Sequence, residues 1–204
     1  MVRTLLSAVE RFSPEAYLTA CKRAVETGDL WRVQTLVSEA KTHLAEPSMS
    51  LAGEVILHAY ANDRKNIAAG LIDQCSPEQI AAAPPILLRQ AAVCLDIQTA
   101  VKLVDKGIQP GDYAADVLHT LTAQHQDWMA ERLLEHGMPV APDNYAALYA
   151  CLNNGAASIG KLLLDRGIDL ERYQAWAEHR PKSAEHGAAM EELAGYWAQM
   201  QTGS

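Results

Sequence analysis

The stretch Leu133–Gly137, LLEHG, is one of five copies of a single pattern: two branched aliphatics, then an acidic or small polar residue, then, two positions on, a small residue. The others are LVSEA from Leu36, LIDQC from Leu71, LVDKG from Leu103 and LLDRG from Leu163, so the steps are 35, 32, 30 and 30 residues. A period in that window indicates stacked helical repeats, each too small to bury its own apolar face alone. Three residues before each pair stand Val33, Ala68, Ala100, Ala130 and Gly160, which completes the i, i+3, i+4 pattern of one buried helix face. Gly107, Gly137 and Gly167 then fall where a helix closes on a left-handed residue.

Ahead of each pair lies a second apolar segment of two to three turns, separated from it by a short polar or glycine-containing break. Examples are YLTACKRAVETGD ending at Asp29, PPILLRQAAVCLD ending at Asp96 and YAALYACLNNG ending at Gly155. The unit is therefore helix, tight turn, helix. Pro84 and Pro85 suit a helix beginning, where a missing N–H costs little. Pro47, Pro77, Pro110 and Pro142 separate one unit from the next.

Composition agrees. Hydrophobic residues make up 49% of the 204, with a single Phe, which favours close helix packing and an all-α chain. No apolar run approaches the ~20 residues of a membrane-spanning helix. The opening MVRTLLSAVERF reads as a capping helix with Leu5, Leu6, Val9 and Phe12 on one face; Glu10 and Arg11 interrupt any signal-peptide core. Cys21, Cys75, Cys94 and Cys151 are too far apart for a zinc ribbon or redox pair and read as buried thiols in a reducing cytoplasm. Residues 184–200 form a last amphipathic helix with Met190, Leu193, Trp197 and Met200 on one side. The expected architecture is a single α-solenoid domain over residues 1–200. An N-terminal cap helix occupies 1–14, repeats 15–180 and a C-terminal cap helix 181–200, with a disordered tail at 201–204.

With those elements in place, the chain resembles the ankyrin-repeat family. Aligned on the aliphatic pair, Ala24, Gly28, Asp29, Leu36 and Val37 match the family pattern in the first copy, and Leu88, Ala91, Ala92, Asp96, Leu103, Val104 and Gly107 in the third. Leu118 and His119 match in the fourth copy, and Leu148, Gly155, Leu163, Leu164 and Gly167 in the fifth. The family's TPLH motif is nowhere intact: Lys22, Arg89 and Tyr149 stand where its His bonds between repeats, and Ala40 and Cys75 replace the turn glycine. The resemblance implies about five helix-turn-helix repeats, loops projecting as fingers after each glycine, and a concave face that binds protein.

Charge points to a partner. The formal net charge is −8, and residues 103–204 alone carry 7 Lys and Arg against 14 Asp and Glu. Without a basic stripe, direct nucleic-acid binding is not expected; a basic protein surface is the natural complement. The finger loops GIQPGDY, GMPVAPDNY and GIDLERY each carry acid, so Asp112, Tyr113, Asp143, Asn144, Asp169, Glu171 and Arg172 are candidate contact residues. Trp31 and Trp128 stand five residues before Leu36 and Leu133, as binding anchors if exposed; the simpler reading lays each ring over a neighbouring repeat.

Chemistry is not expected. No GxSxG, P-loop or Rossmann glycine run is present, and no HExxH pairs the seven histidines. His179 and His186 flank the loop HRPKSAEH as solvated residues. The one enzyme-like alternative would assemble Arg89, His119 and Tyr149, which share a repeat position. The sequence thus reads as a non-enzymatic, cytoplasmic interaction protein, monomeric and without metal or cofactor. A narrower version is an inhibitor: an immunity or antagonist protein covering a basic, nucleic-acid-processing cleft, or an effector on the same scaffold.

Overall fold

A computed structural model describes residues 13–43, 49–111 and 113–202. The helix expected at 1–14 therefore lies outside the described residues save for Ser13 and Pro14, as do Asp112, Pro47 and residues 203–204. The described chain is helical with no strand: α1 (Pro14–Glu26), α2 (Leu30–His43), α3 (Met49–Ala61), α4 (Lys65–Gln74), α5 (Pro77–Ala81), α6 (Ile86–Val93), α7 (Ile97–Asp105), α8 (Tyr113–Ala123), α9 (Asp127–Glu135), α10 (Tyr145–Asn153), α11 (Ala157–Asp165), α12 (Leu170–Ala177) and α13 (Ala184–Thr202). None is long and apolar enough to cross a membrane. The all-α expectation holds, and α13 runs through Thr202, two residues into the segment expected to be disordered.

Two compact units divide the chain, the first ending at Leu87 and the second beginning at Leu88, inside α6. In the first, α1 packs on α2 and α3 on α4, while α1 also meets α3 and α2 meets α4. In the second, α8 packs on α9 and α10 on α11; α8 meets α10, and the second helices α7, α9 and α11 meet in that order. First helix on first helix and second on second is how hairpins stack by one repeated displacement. Side chains record the same step. Gln34 reaches Gly70 O (3.4 Å) and Arg64 reaches Glu26 O (3.2 Å) across 36 and 38 residues. Asp105 meets His136 (2.7 Å) and Thr122 accepts from Asn154 (2.9 Å) across 31 and 32 residues.

The repeated sequence pattern is the end of the second helix. Gly107 donates to Val104 O (2.8 Å) and Ile108 to Leu103 O (3.0 Å), the paired bonds of a Schellman motif; Gly137 with Met138 and Gly167 with Ile168 repeat them. The glycines take φ of +87°, +87° and +93°, as expected, and Ile108, Met138 and Ile168 are buried behind them. Each aliphatic pair is thus at once helix end and core, and every residue expected on the buried face is buried except Leu36, which is half-exposed.

The first helices end in the same way, which the sequence conceals. Residues 28, 63, 95, 125 and 155 all have positive φ, at the same steps of 35, 32, 30 and 30 as the aliphatic pairs. The following residue donates back to the helix in every copy: Asp29 to Ala24, Arg64 to Ala59, Asp96 to Ala91, Gln126 to Leu121 and Ala156 to Cys151. That same residue opens the second helix, and Asp29 and Asp96 also accept from Arg32 N (3.0 Å) and Thr99 N (3.3 Å). Only two of the five left-handed positions are Gly; Asp63 and His125 are polar, and Leu95 holds φ +52° with an exposed side chain. A left-handed conformation strains a residue with Cβ by about 1 kcal/mol. Leu95→Gly should therefore raise the unfolding free energy of the protein by roughly that amount, read as a higher urea midpoint at unchanged slope.

Pro77 does more than separate repeats. It starts α5, a helix not anticipated from sequence, whose capping box pairs Ser76 N with Gln79 Oε1 (2.9 Å) and Gln79 N with Ser76 Oγ (3.3 Å). The pattern S-P-E-Q is a legible start signal, but five residues give no periodicity to read.

Candidate interaction surface

The finger loops of the second unit enclose a groove of about 490 Å3, lined by Gln109, Gly111, Pro139, Val140, Ala141, Asp143 and Asn144. Its walls are the segments between each closing glycine and the next first helix, so the Schellman turns that fix Gly107 and Gly137 also fix the groove. Asn144 opens α10 and accepts from Ala147 N (3.2 Å), while Asp143 beside it is exposed and has no cation partner among the described residues. Tyr113 begins α8 with its ring partly exposed.

The third finger is built differently. Asp169 caps α12 through Arg172 N (3.0 Å), and the Arg172 side chain returns to the same carboxylate at 3.7 Å. Both therefore help hold the helix start, leaving Glu171 as the exposed, unpaired acid of that loop. The structure brings Asp143 and Asn144 together with Gln109 and Gly111 in one groove; Asp169, Glu171 and Arg172 do not line it.

Trp31 and Trp128 are 63% and 56% exposed, which corrects the reading that laid them over neighbouring repeats. The reason is angular: five residues before the first Leu of the pair is about 140° around the helix, away from the core-facing stripe. Trp128 caps its own turn instead, donating from Nε1 to Gln126 Oε1 (3.0 Å). It stands at the opening of the nine-residue α9, about 13 Å from the finger end, so it belongs to the turn edge and not to the finger row.

Lys22, Arg89 and Tyr149 all reach the next hairpin or loop. Lys22 pairs with Glu54 (3.8 Å), Arg89 with Asp116 (3.6 Å), and Tyr149 OH donates to Pro181 O. His119 is exposed, Arg89 and Tyr149 serve separate contacts, and none of the three lines the groove. The carboxylates after the aliphatic pairs also bridge: Asp105 holds His136, and Asp165 accepts from Tyr196 OH (2.7 Å). Arg166 donates to Leu134 O, putting a cation at the C-terminal end of the preceding second helix, where the backbone dipole favours it. Burial pushes the Cys21 thiol up to about 11 and raises that of Cys151 further, so neither is a thiolate at neutral pH.

A cluster at the C-terminal end of the second unit was not anticipated. Tyr145, Tyr149, Tyr173 and Trp176 gather around the loop after α12, and His186, expected to be solvated, is buried. Its Nε2 lies 2.8 Å from the buried Tyr173 hydroxyl. Burial, and then Lys182, hold the His186 pKa below the usual 6.5, while burial raises that of Tyr173. A neutral imidazole accepts from the tyrosine; protonation removes that acceptor. Because the folded-state pKa is depressed, the contribution is fully present above about 6.5 and is lost as pH falls below it. Unfolding midpoints measured from pH 7 to 5 should therefore fall more steeply for the native protein than for His186→Gln, whose amide oxygen accepts at either pH.

No protein-family model, curated protein or solved structure matches the chain. The described residues are all-α, with helical hairpins packed on one another within each unit and a groove edged by Asp143 in the second.

Proposed function

We propose that the chain is a short solenoid of degenerate ankyrin-like repeats that acts by protein–protein contact, docking the finger edge of its second unit on a basic patch of a partner. The observation that carries this reading is the groove between two finger loops, edged by the unpaired Asp143, in a unit with 9 Lys and Arg against 15 Asp and Glu. Its supports are the hairpin-on-hairpin packing, the bridges made by Lys22, Arg89 and Tyr149, and the second row of acid at Glu171. Charge of one sign along such an edge speeds encounter with a basic surface and rejects acidic ones, while the apolar wall of Pro139, Val140 and Ala141 supplies contact area.

The test is affinity capture from a lysate of the source cell at low and high salt, with the native protein and with Asp143→Lys combined with Glu171→Lys. Both side chains are exposed and unpaired, so the fold should tolerate the change. A basic protein retained at low salt should be weakened about tenfold or more by the double reversal, chiefly through its association rate. Equal retention of the same protein by both forms would remove the electrostatic basis of the proposal.

A further inference from the structure

The loop after α12 places a cation on an aromatic platform. The Arg180 guanidinium lies 3.6 Å from the centroid of the Trp176 ring. Around that ring stand Tyr149, edge-on at 5.8 Å, Tyr145 at 6.0 Å and Tyr173 at 6.2 Å. Three of the four are half-buried, so they present both a desolvated wall and an open side. Aromatic faces carry negative potential and select cations, planar guanidinium above all.

Arg180 itself is held loosely. It is exposed, and among the described residues no carboxylate pairs with its guanidinium and no acceptor bonds to it. The loop does not depend on it: Tyr149 OH fixes Pro181 O, and Ser183 bonds Asn153 twice, from N to Oδ1 (3.1 Å) and from Oγ to the carbonyl (2.7 Å). The side chain can therefore leave while the backbone stays anchored by the bond from Arg180 N to Ala177 O (3.1 Å) and by those at Pro181 and Ser183. Tyr145, at one side of the platform, follows directly on Asn144, which lines the groove.

We infer that the Trp176 face is a binding site for an arginine side chain of the partner protein, and that Arg180 fills it in the free protein. Resting on the proposed docking of a basic partner, this adds a specific anchor: an arginine from a segment lying in the groove displaces Arg180 and stacks on Trp176 between Tyr145 and Tyr149. The acidic edge attracts the segment, and the platform selects guanidinium over ammonium.

The test requires no partner. The indole N–H signal of Trp176, assigned by its loss in Trp176→Phe, is followed by NMR while N-acetylarginine amide is added to native protein, Arg180→Ala and Arg180→Gln. Retention of the Trp31, Trp128 and Trp197 indole signals shows that each variant is folded. In both variants a saturable shift of Trp176 is expected, with roughly fivefold tighter binding than in the native protein, where Arg180 competes. N-acetyllysine amide should bind more weakly. Absence of saturation in both variants, equal affinity with and without Arg180, or equal binding of the lysine probe would overturn the arginine site. Such a failure would leave the acidic docking surface standing, because that is tested separately by reversal of Asp143 and Glu171.

Discussion

Leu133→Ala is expected to cost about 3 kcal/mol of unfolding free energy, the middle of the range for a fully buried Leu. Leu133 has no exposed surface, and it fills two roles at once: it packs in the core of the second unit, and its carbonyl accepts from Met138 N (2.9 Å) in the turn that starts a finger. Truncation removes only the first role, leaving a cavity in a helix that meets both α7 and α11. Urea denaturation followed by helical circular dichroism measures the loss. Leu36→Ala is the internal comparison. Its side chain occupies the same repeat position but is half-exposed, so its cost should be roughly half as large. Equal costs would contradict the difference in burial between the two positions.

Gly160→Val should be the most damaging single change at the end of the second unit, at roughly 2–3 kcal/mol, by overpacking. The position is Ala in the three preceding copies, and the difference lies in what packs against it. A Cβ at Gly160 would stand 3.1 and 3.3 Å from the two methyls of Leu193 and 3.5 Å from Leu148 Cδ1, because α13 covers α10 and α11 here. A single methyl requires a few tenths of an ångström of movement, and the gain in helix propensity, about 1 kcal/mol, offsets it. Gly160→Ala should accordingly be near neutral. Valine adds two further carbons where Leu193 is fully buried and cannot yield. Thermal unfolding of the two variants in parallel separates these effects, and a Val variant as stable as the Ala variant would show that α13 does not pack as described.

The second helices were legible because their ends are written in side chains. The aliphatic pair, the glycine and the buried residue after it occupy fixed places in one hydrogen-bonded turn, so the turn repeats as sequence. The first helices end in the same turn, but three of five left-handed positions carry Asp63, Leu95 and His125, and no residue pattern survives. Backbone geometry recurs there without sequence recurrence, because the bonds that close the turn run between backbone groups. The acidic excess of the C-terminal half was readable from counts alone. That Asp169 and Arg172 would spend their side chains on a helix cap was readable only in part, as Asp before an apolar helix start. The exposure of Trp31 and Trp128 followed from helical angle and was open to inference. The aromatic cluster was not: Tyr145, Tyr149, Trp176 and Arg180 come from two helices and a loop, and only folding brings them together.

The docking surface is tested most directly by amide hydrogen exchange of the protein alone and with the partner that it captures. Slowed exchange is expected in residues 107–111 and 138–145 and around Glu171, with the second unit's turn edge at residues 95, 125 and 155 unchanged. Protection confined to that turn edge, around Leu95 and Trp128, would contradict it and place the partner on the opposite end of the second unit's helical hairpins.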